Sequence, residues 1–194
     1  MKALLLFCAL LVACATAATS PVVALTDGTG ATICSAFAVR PERLLTAAHC
    51  VPQDAVEVTF VRHAPIALGR ENASVLRANR DDDWAVLLPA TPVPVAFGLA
   101  QAADGAVSIV PAIDNWRSTD GTVLESYFAG LVDGVEVRRW SAAIDIAPGW
   151  SGSPLLQHGL AVGILQRCRG DAFPRKSCAR PGFATFFPTE SVTL

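Results

Sequence analysis

Lysine is almost missing from this chain: Lys2 and Lys176 are its only lysines, and arginine supplies the rest of the 15 basic residues. That bias reflects composition and carries no function. The basic residues are outnumbered by 17 acidic ones, giving a formal net charge of -2. A nucleic-acid partner requires a basic face, so that class is excluded. Charged residues make up only 16% of the chain against 52% hydrophobic, which excludes a disordered, solvated polymer. Nowhere do apolar residues hold a helical period over three turns, so helical folds drop out and the class is all-β. After the N-terminal stretch, no apolar run is long enough to form a transmembrane helix. Low-complexity tracts are absent as well.

The N-terminal stretch has a basic start at Met1-Lys2, an apolar run over residues 3–12 and a small-residue site at Ala15-Thr16-Ala17. Together these read as a signal peptide over residues 1–17, and hence as export to a secreted or periplasmic location. Leu11-Val12-Ala13-Cys14 also matches a lipobox, which would make Cys14 a lipid anchor; cleavage after Ala17 would instead discard it. Of the 6 cysteines, Cys8 and Cys14 lie in this segment, leaving Cys34, Cys50, Cys168 and Cys178. An even set suits an oxidising compartment and permits three pairings. No C-x-x-C spacing is present, so a zinc site is not expected.

Residues 22–25 and 33–39 are β-rich runs around the Asp27-Gly28-Thr29-Gly30 turn, and residues 56–61 alternate as a half-exposed strand does. Pro89-Ala90-Thr91-Pro92-Val93-Pro94 breaks any regular element and is the expected linker between two halves. The second half repeats the pattern, with a strand over 107–110, turns at Asp104-Gly105 and Asp120-Gly121, and a hairpin at Asp133-Gly134. His63 has no motif around it and is expected at the surface.

The chemistry concentrates in Gly149-Trp150-Ser151-Gly152-Ser153-Pro154. Glycines there permit a sharp turn, but a serine hydroxyl alone is a poor nucleophile and needs a base and an orienting acid. His49 in Thr46-Ala47-Ala48-His49-Cys50 and Asp83 in Asp83-Trp84-Ala85-Val86-Leu87 are the candidates. Asp83 stands at the mouth of an apolar strand, where a buried carboxylate could fix the imidazole tautomer. Its neighbours Asp81 and Asp82 read as a solvated loop.

T-A-A-H-C, D-x-A-x-L and G-x-S-G-S-P in this order resemble the trypsin-like (chymotrypsin-fold) serine peptidases, in their compact bacterial-type branch. Residues 34–39 resemble the family's C-G-G-S-L-I strand, and residues 160–165 its V-G-I-V-S strand beside the substrate, with Gln166 in place of the serine. Cys178-Ala179-Arg180-Pro181-Gly182-Phe183-Ala184 resembles C-A-x-x-P-G-V-Y, whose glycine lines the specificity pocket. The resemblance runs from about residue 22 to residue 187. It implies two six-stranded antiparallel Greek-key β-barrels with the active site in the cleft between them. Residues 22–90 would form the first barrel, with His49 and Asp83, and residues 95–188 the second, with Ser151.

The activity implied is that of a serine endopeptidase acting on polypeptide substrates as a monomer. Ser151 would be the nucleophile, His49 the base and Asp83 the orienting acid, with an oxyanion hole from the N–H groups of Gly149 and Ser151 and no metal or organic cofactor. Gln166, Asp145 and Gly182 would line the substrate site. A Cys34–Cys50 bridge is implied next to the histidine, worth on the order of 3 kcal/mol. The family's usual partner for Cys178 falls at Ala147, so the adapted pairing is Cys168–Cys178. Trp150 replaces the aspartate that pairs with a freed N-terminus in trypsin-like zymogens, which implies a pre-formed loop. Asp145, six residues before the nucleophile, is either the carboxylate that selects a basic P1 side chain or a structural prop bonded to backbone. The reading from another class is a catalytically inactive relative that binds a partner through the same cleft.

Overall fold

The computed structural model describes residues 20–62, 69–113, 118–132, 135–168, 183–192 and 194. Six strands, β1 (Val22–Thr26), β2 (Thr32–Arg40), β3 (Arg43–Thr46), β4 (Glu57–Arg62), β5 (Glu71–Asn79) and β6 (Trp84–Pro89), close a barrel in the order β1-β2-β3-β6-β5-β4. Six more follow: β7 (Gly105–Ile109), β8 (Thr119–Val132), β9 (Val135–Ala143), β10 (Pro154–Gln157), β11 (Leu160–Cys168) and β12 (Phe183–Pro188). They close a second barrel in the order β10-β11-β12-β9-β8-β7. Every pairing between named strands is antiparallel. The all-β, two-barrel class expected from the sequence is the one observed. The expected signal segment 1–17 with Cys14, His63, the expected Asp133-Gly134 turn, Cys178 and Gly182 lie outside the described residues.

Strand periodicity explains how the barrels dock. All five residues of β1 are buried, because successive side chains point to opposite faces and both faces are covered. Val23 and Leu25 enter the first barrel's interior with Ala36, Leu44, Phe60 and Leu87. Val22 and Ala24 point the other way, joining Phe37, Leu45, Trp84 and Val86 against Ile164 and Phe187 of the second barrel. One apolar layer therefore glues the barrels together. Replacing fully buried Phe37 or Phe187 by Ala should cost about 3–5 kcal/mol.

The proline-rich segment after β6 does break regular structure, yet it is firmly tied. Buried Arg62 donates to Thr91 O and Pro92 O and pairs with Glu71 at 2.6 Å, while Val93 N donates to Pro41 O. One turn assignment is corrected. Asp120 and Gly121 lie inside β8, where a Cβ on Gly121 would sit 2.4 Å from the Ala143 carbonyl oxygen. The glycine serves close strand approach and not reversal. β5, β10 and β12 have no counterpart among the expected strands; β5 is mostly exposed and lacks apolar alternation.

Candidate active site

The histidine side of the cleft is built by side chains gripping backbone. After β3, Ala48–Cys50 make one 3-10 turn that presents His49, with its side chain 39% exposed. Cys50 is bridged to Cys34 on β2. Arg80 grips the carbonyls of this turn and the residues after it: Nη1 donates to Ala48 O (2.6 Å) and Val51 O (2.8 Å), and Nη2 to Pro52 O (3.0 Å).

Asp83 faces this turn. It accepts from the His49 backbone N–H at 2.9 Å and lies 2.8 and 3.0 Å from Nδ1 through its two carboxylate oxygens. A carboxylate only accepts, so Nδ1 carries the hydrogen and Nε2 is left as a base. Asp83 is not fully buried, since its side chain is 22% exposed. Its φ of 57° lies in the left-handed region, which turns the loop sharply into β6. Asn79 shapes the approach: its Oδ1 accepts from the N–H groups of Asp81 and Asp82, an Asx-type turn. Asp82 is not the solvated residue expected, because it is buried and accepts from Asn79 Nδ2.

The serine side is built by backbone against backbone. Gly149 and Gly152 have φ of 87° and 79°. A Cβ on Gly152 would stand 2.1 Å from Ser35 O and 2.3 Å from Thr46 Oγ1, so only glycine lets the loop lie against β2 and β3. Ser35 N donates to Ser151 O at 2.8 Å, Gly152 N to Leu165 O at 2.8 Å, and Leu165 N to Ser153 O at 2.9 Å. Trp150 is buried in the second barrel's core, anchoring the loop by packing where a zymogen-type enzyme uses an ion pair. The N–H groups of Gly149 and Ser151 have no acceptor among the described residues.

The Ser151 hydroxyl donates to the Gln166 carbonyl at 3.2 Å. Gln166 is only 1% exposed, and its side chain reaches the acid loop. Its Nε2 donates to Asp82 O and, at 3.3 Å, to Asp83 O. Asp145 is exposed, with no hydrogen bond or ion pair among the described residues. Cys168 ends β11; its pairing with Cys178 lies outside the described residues. The ligand atoms of Cys34, His49 and Cys50 come within 4.8 Å of one another, but both sulfurs are committed to the disulfide.

Asn79, Arg80 and Asp82 were not singled out by sequence motifs. An Asx residue two and three positions before the N–H groups it accepts from was the available signal for Asn79; nothing local marks the reach of Arg80 to the histidine turn.

The fold recurs in solved structures of low sequence identity. The active form of the Rv3671c protease from M. tuberculosis superimposes with a TM-score of 0.65 at 20% identity, over 89% of this chain and 78% of that one. The MamO protease domain from Magnetospirillum magneticum gives 0.68 at 16% identity, over 88% and 92%. An HtrA-type protease, AlgW with a decapeptide, gives 0.62 at 22%, over 82% of this chain and 49% of that one. No curated protein sequence matches significantly. The profile of the trypsin-like peptidase domain matches residues 34–164, from the bridged Cys34 through His49, Asp83 and Ser151 to β11. The chain belongs to the trypsin-like peptidase domain family and is a serine-type peptidase.

Proposed function

We propose that the chain is an exported endopeptidase that cleaves polypeptides through a Ser151, His49 and Asp83 triad. The observation that carries this reading is the two-oxygen grip of Asp83 on His49 Nδ1, which leaves Nε2 free to act as base. In the resting protein the Ser151 hydroxyl lies on the Gln166 carbonyl; with a substrate carbonyl in place it turns to Nε2, in keeping with catalytic bonds that tighten only in the Michaelis complex. Ser151 Oγ then bonds to the carbonyl carbon as its proton passes to His49. The N–H groups of Gly149 and Ser151 receive the oxyanion. His49 returns the proton to the leaving amine as the C–N bond breaks, and water repeats both steps on the acyl-enzyme. Ser151→Ala should reduce turnover by on the order of 10⁴- to 10⁶-fold. Unchanged turnover in that variant would refute the triad.

The finer points are proposals as well. The Cys34–Cys50 bridge supports export, with residues 1–17 removed or Cys14 acylated, and intact mass of the mature protein separates the two. The loop packed on Trp150 needs no N-terminal activation, so the protein lacking residues 1–17 is active without trimming. The enzyme acts as a monomer. Asp145 confers a preference for Arg or Lys at P1; Asp145→Ser should reduce the rate on Arg substrates by roughly 10³-fold and spare small apolar ones. A wild type that ignores Arg and Lys would remove this assignment alone. The parked serine hydroxyl is the one observation favouring a cleft that binds without cutting, and hydrolysis abolished by Ser151→Ala excludes that reading.

A further inference from the structure

We propose that Gln166 is a positioning residue for the catalytic acid. Its side-chain amide, assisted by Arg139, holds the Asp83 loop from the second barrel, while its own carbonyl holds the serine hydroxyl. This rests on the triad reading above.

Three successive carbonyls of the acid loop are captured by second-barrel side chains. Arg139 on β9 donates from Nη2 to Asp81 O at 3.1 Å, and Gln166 Nε2 donates to Asp82 O and Asp83 O. The N–H groups of Asp81 and Asp82 are held from the first barrel by Asn79. The loop is thus gripped on its donor side by one barrel and on its acceptor side by the other. Such a grip helps hold Asp83 in its left-handed φ of 57°, a conformation that carries some backbone strain for a residue with a Cβ.

The Gln166 amide is in place for this contact and not for packing. An amide oxygen turned toward Asp82 O and Asp83 O would oppose two carbonyl oxygens, so the donor must face them. Gln166 Oε1 and Arg139 Nε are both buried without a partner among the described residues. An apolar side chain of the same size would fill the space without that cost. The same residue also accepts the Ser151 hydroxyl, so one position on β11 touches the nucleophile and the acid's loop. A triad split between two barrels needs a register between them, and Gln166 supplies it by a side chain where the disulfide and Arg80 act within the first barrel alone.

The experiment compares wild type with Gln166→Met, which keeps the length but removes the donor, and Gln166→Glu, which keeps the shape and replaces the two amide N–H donors by a carboxyl group. Active sites are titrated with a fluorophosphonate probe, and kcat and KM for a peptide substrate are measured per titrated site. A displaced acid predicts a fall in kcat of about 10²-fold in both variants with KM within about twofold. A residue that only fills space would lower thermal stability and the number of titratable sites, yet leave kcat per site within about threefold in both variants. That result would overturn the proposal. Should Gln166→Met not fold, Arg139→Met carries the same test with a loss of about fivefold, and an unchanged kcat there together with an unchanged Gln166→Glu refutes it. A wild type that takes up no probe would instead bring down the triad reading, and this inference with it.

Discussion

The two sides of the cleft are held in different ways. The serine loop is shaped by glycines and by backbone hydrogen bonds to β2 and β11, with Gly152 packed where no Cβ fits. The histidine and acid loops are shaped by long side chains and a disulfide: Arg80 on three carbonyls, Asn79 on two N–H groups, Gln166 on two carbonyls and Cys34 on Cys50. Steric exclusion is all-or-none, whereas a set of side-chain grips can lose one member and keep the rest. The serine side should therefore fail abruptly under substitution and the histidine side in steps.

The sharpest break is Gly152→Ala. Its Cβ would meet the Ser35 carbonyl at 2.1 Å, backbone that cannot move without disturbing β2, and alanine also resists a φ of 79°. We expect kcat/KM to fall by about 10³-fold, equivalent to roughly 4 kcal/mol. A variant with near-normal kinetics would show that the loop yields and that the contrast is false. Next, Arg80→Met should strip three carbonyls of a charged donor, reducing stability by about 2–3 kcal/mol and kcat by about tenfold in urea unfolding and steady-state assays. A collapse of activity as complete as in Gly152→Ala would contradict stepwise failure.

Replacing Cys34 and Cys50 together by Ser should lower stability by about 3 kcal/mol while leaving kcat within about threefold at 25 °C, because Arg80 and Asp83 still grip the His49 turn. Loss of turnover in the folded double variant would make the bridge the principal support of His49. The smallest effect lies outside both sides, in the β1–β2 turn. Asp27 is held below the usual carboxylate value of 3.8 by the Thr29 hydroxyl first, against an opposing burial effect, and further by the N–H groups of Ala31, Thr29 and Gly30. A lowered folded pKa means that its contribution is fully present above the unfolded value and lost as pH falls through the folded one. Thermal melts of wild type and Asp27→Asn between pH 2 and 6 should therefore converge toward the acid end of that range; a gap that widens there would reverse the sign.

How much of this could be read from the chain follows from the range of the signals. His49, Asp83, Ser151 and the bridged Cys34 and Cys50 sit in short motifs whose chemistry is local, and the short apolar runs of β1, β2 and β6 with the alternation of β4 announce a β fold directly. Gly121 was misplaced because the feature that demands glycine is the end of the neighbouring strand β9 at Ala143 with Ile144 after it, and not the residues beside it. Asp82 was misplaced for the same reason: Asn79 and the second barrel bury it, while its charged neighbours suggest solvent. Gln166 shows the limit most clearly, since its side chain acts on residues more than 80 positions away in the chain.

The central claim is that Ser151 is a nucleophile activated by His49, itself oriented by Asp83, and it is tested most directly by covalent labelling. The mature protein and its His49→Ala variant would be treated with a fluorophosphonate probe, digested and mapped by mass spectrometry. The account predicts a single adduct on the peptide containing Ser151 in the wild type, formed at least about 10³-fold more slowly when His49 is absent. An unmodified Ser151 in the folded wild type, or equal labelling in both proteins, would contradict it.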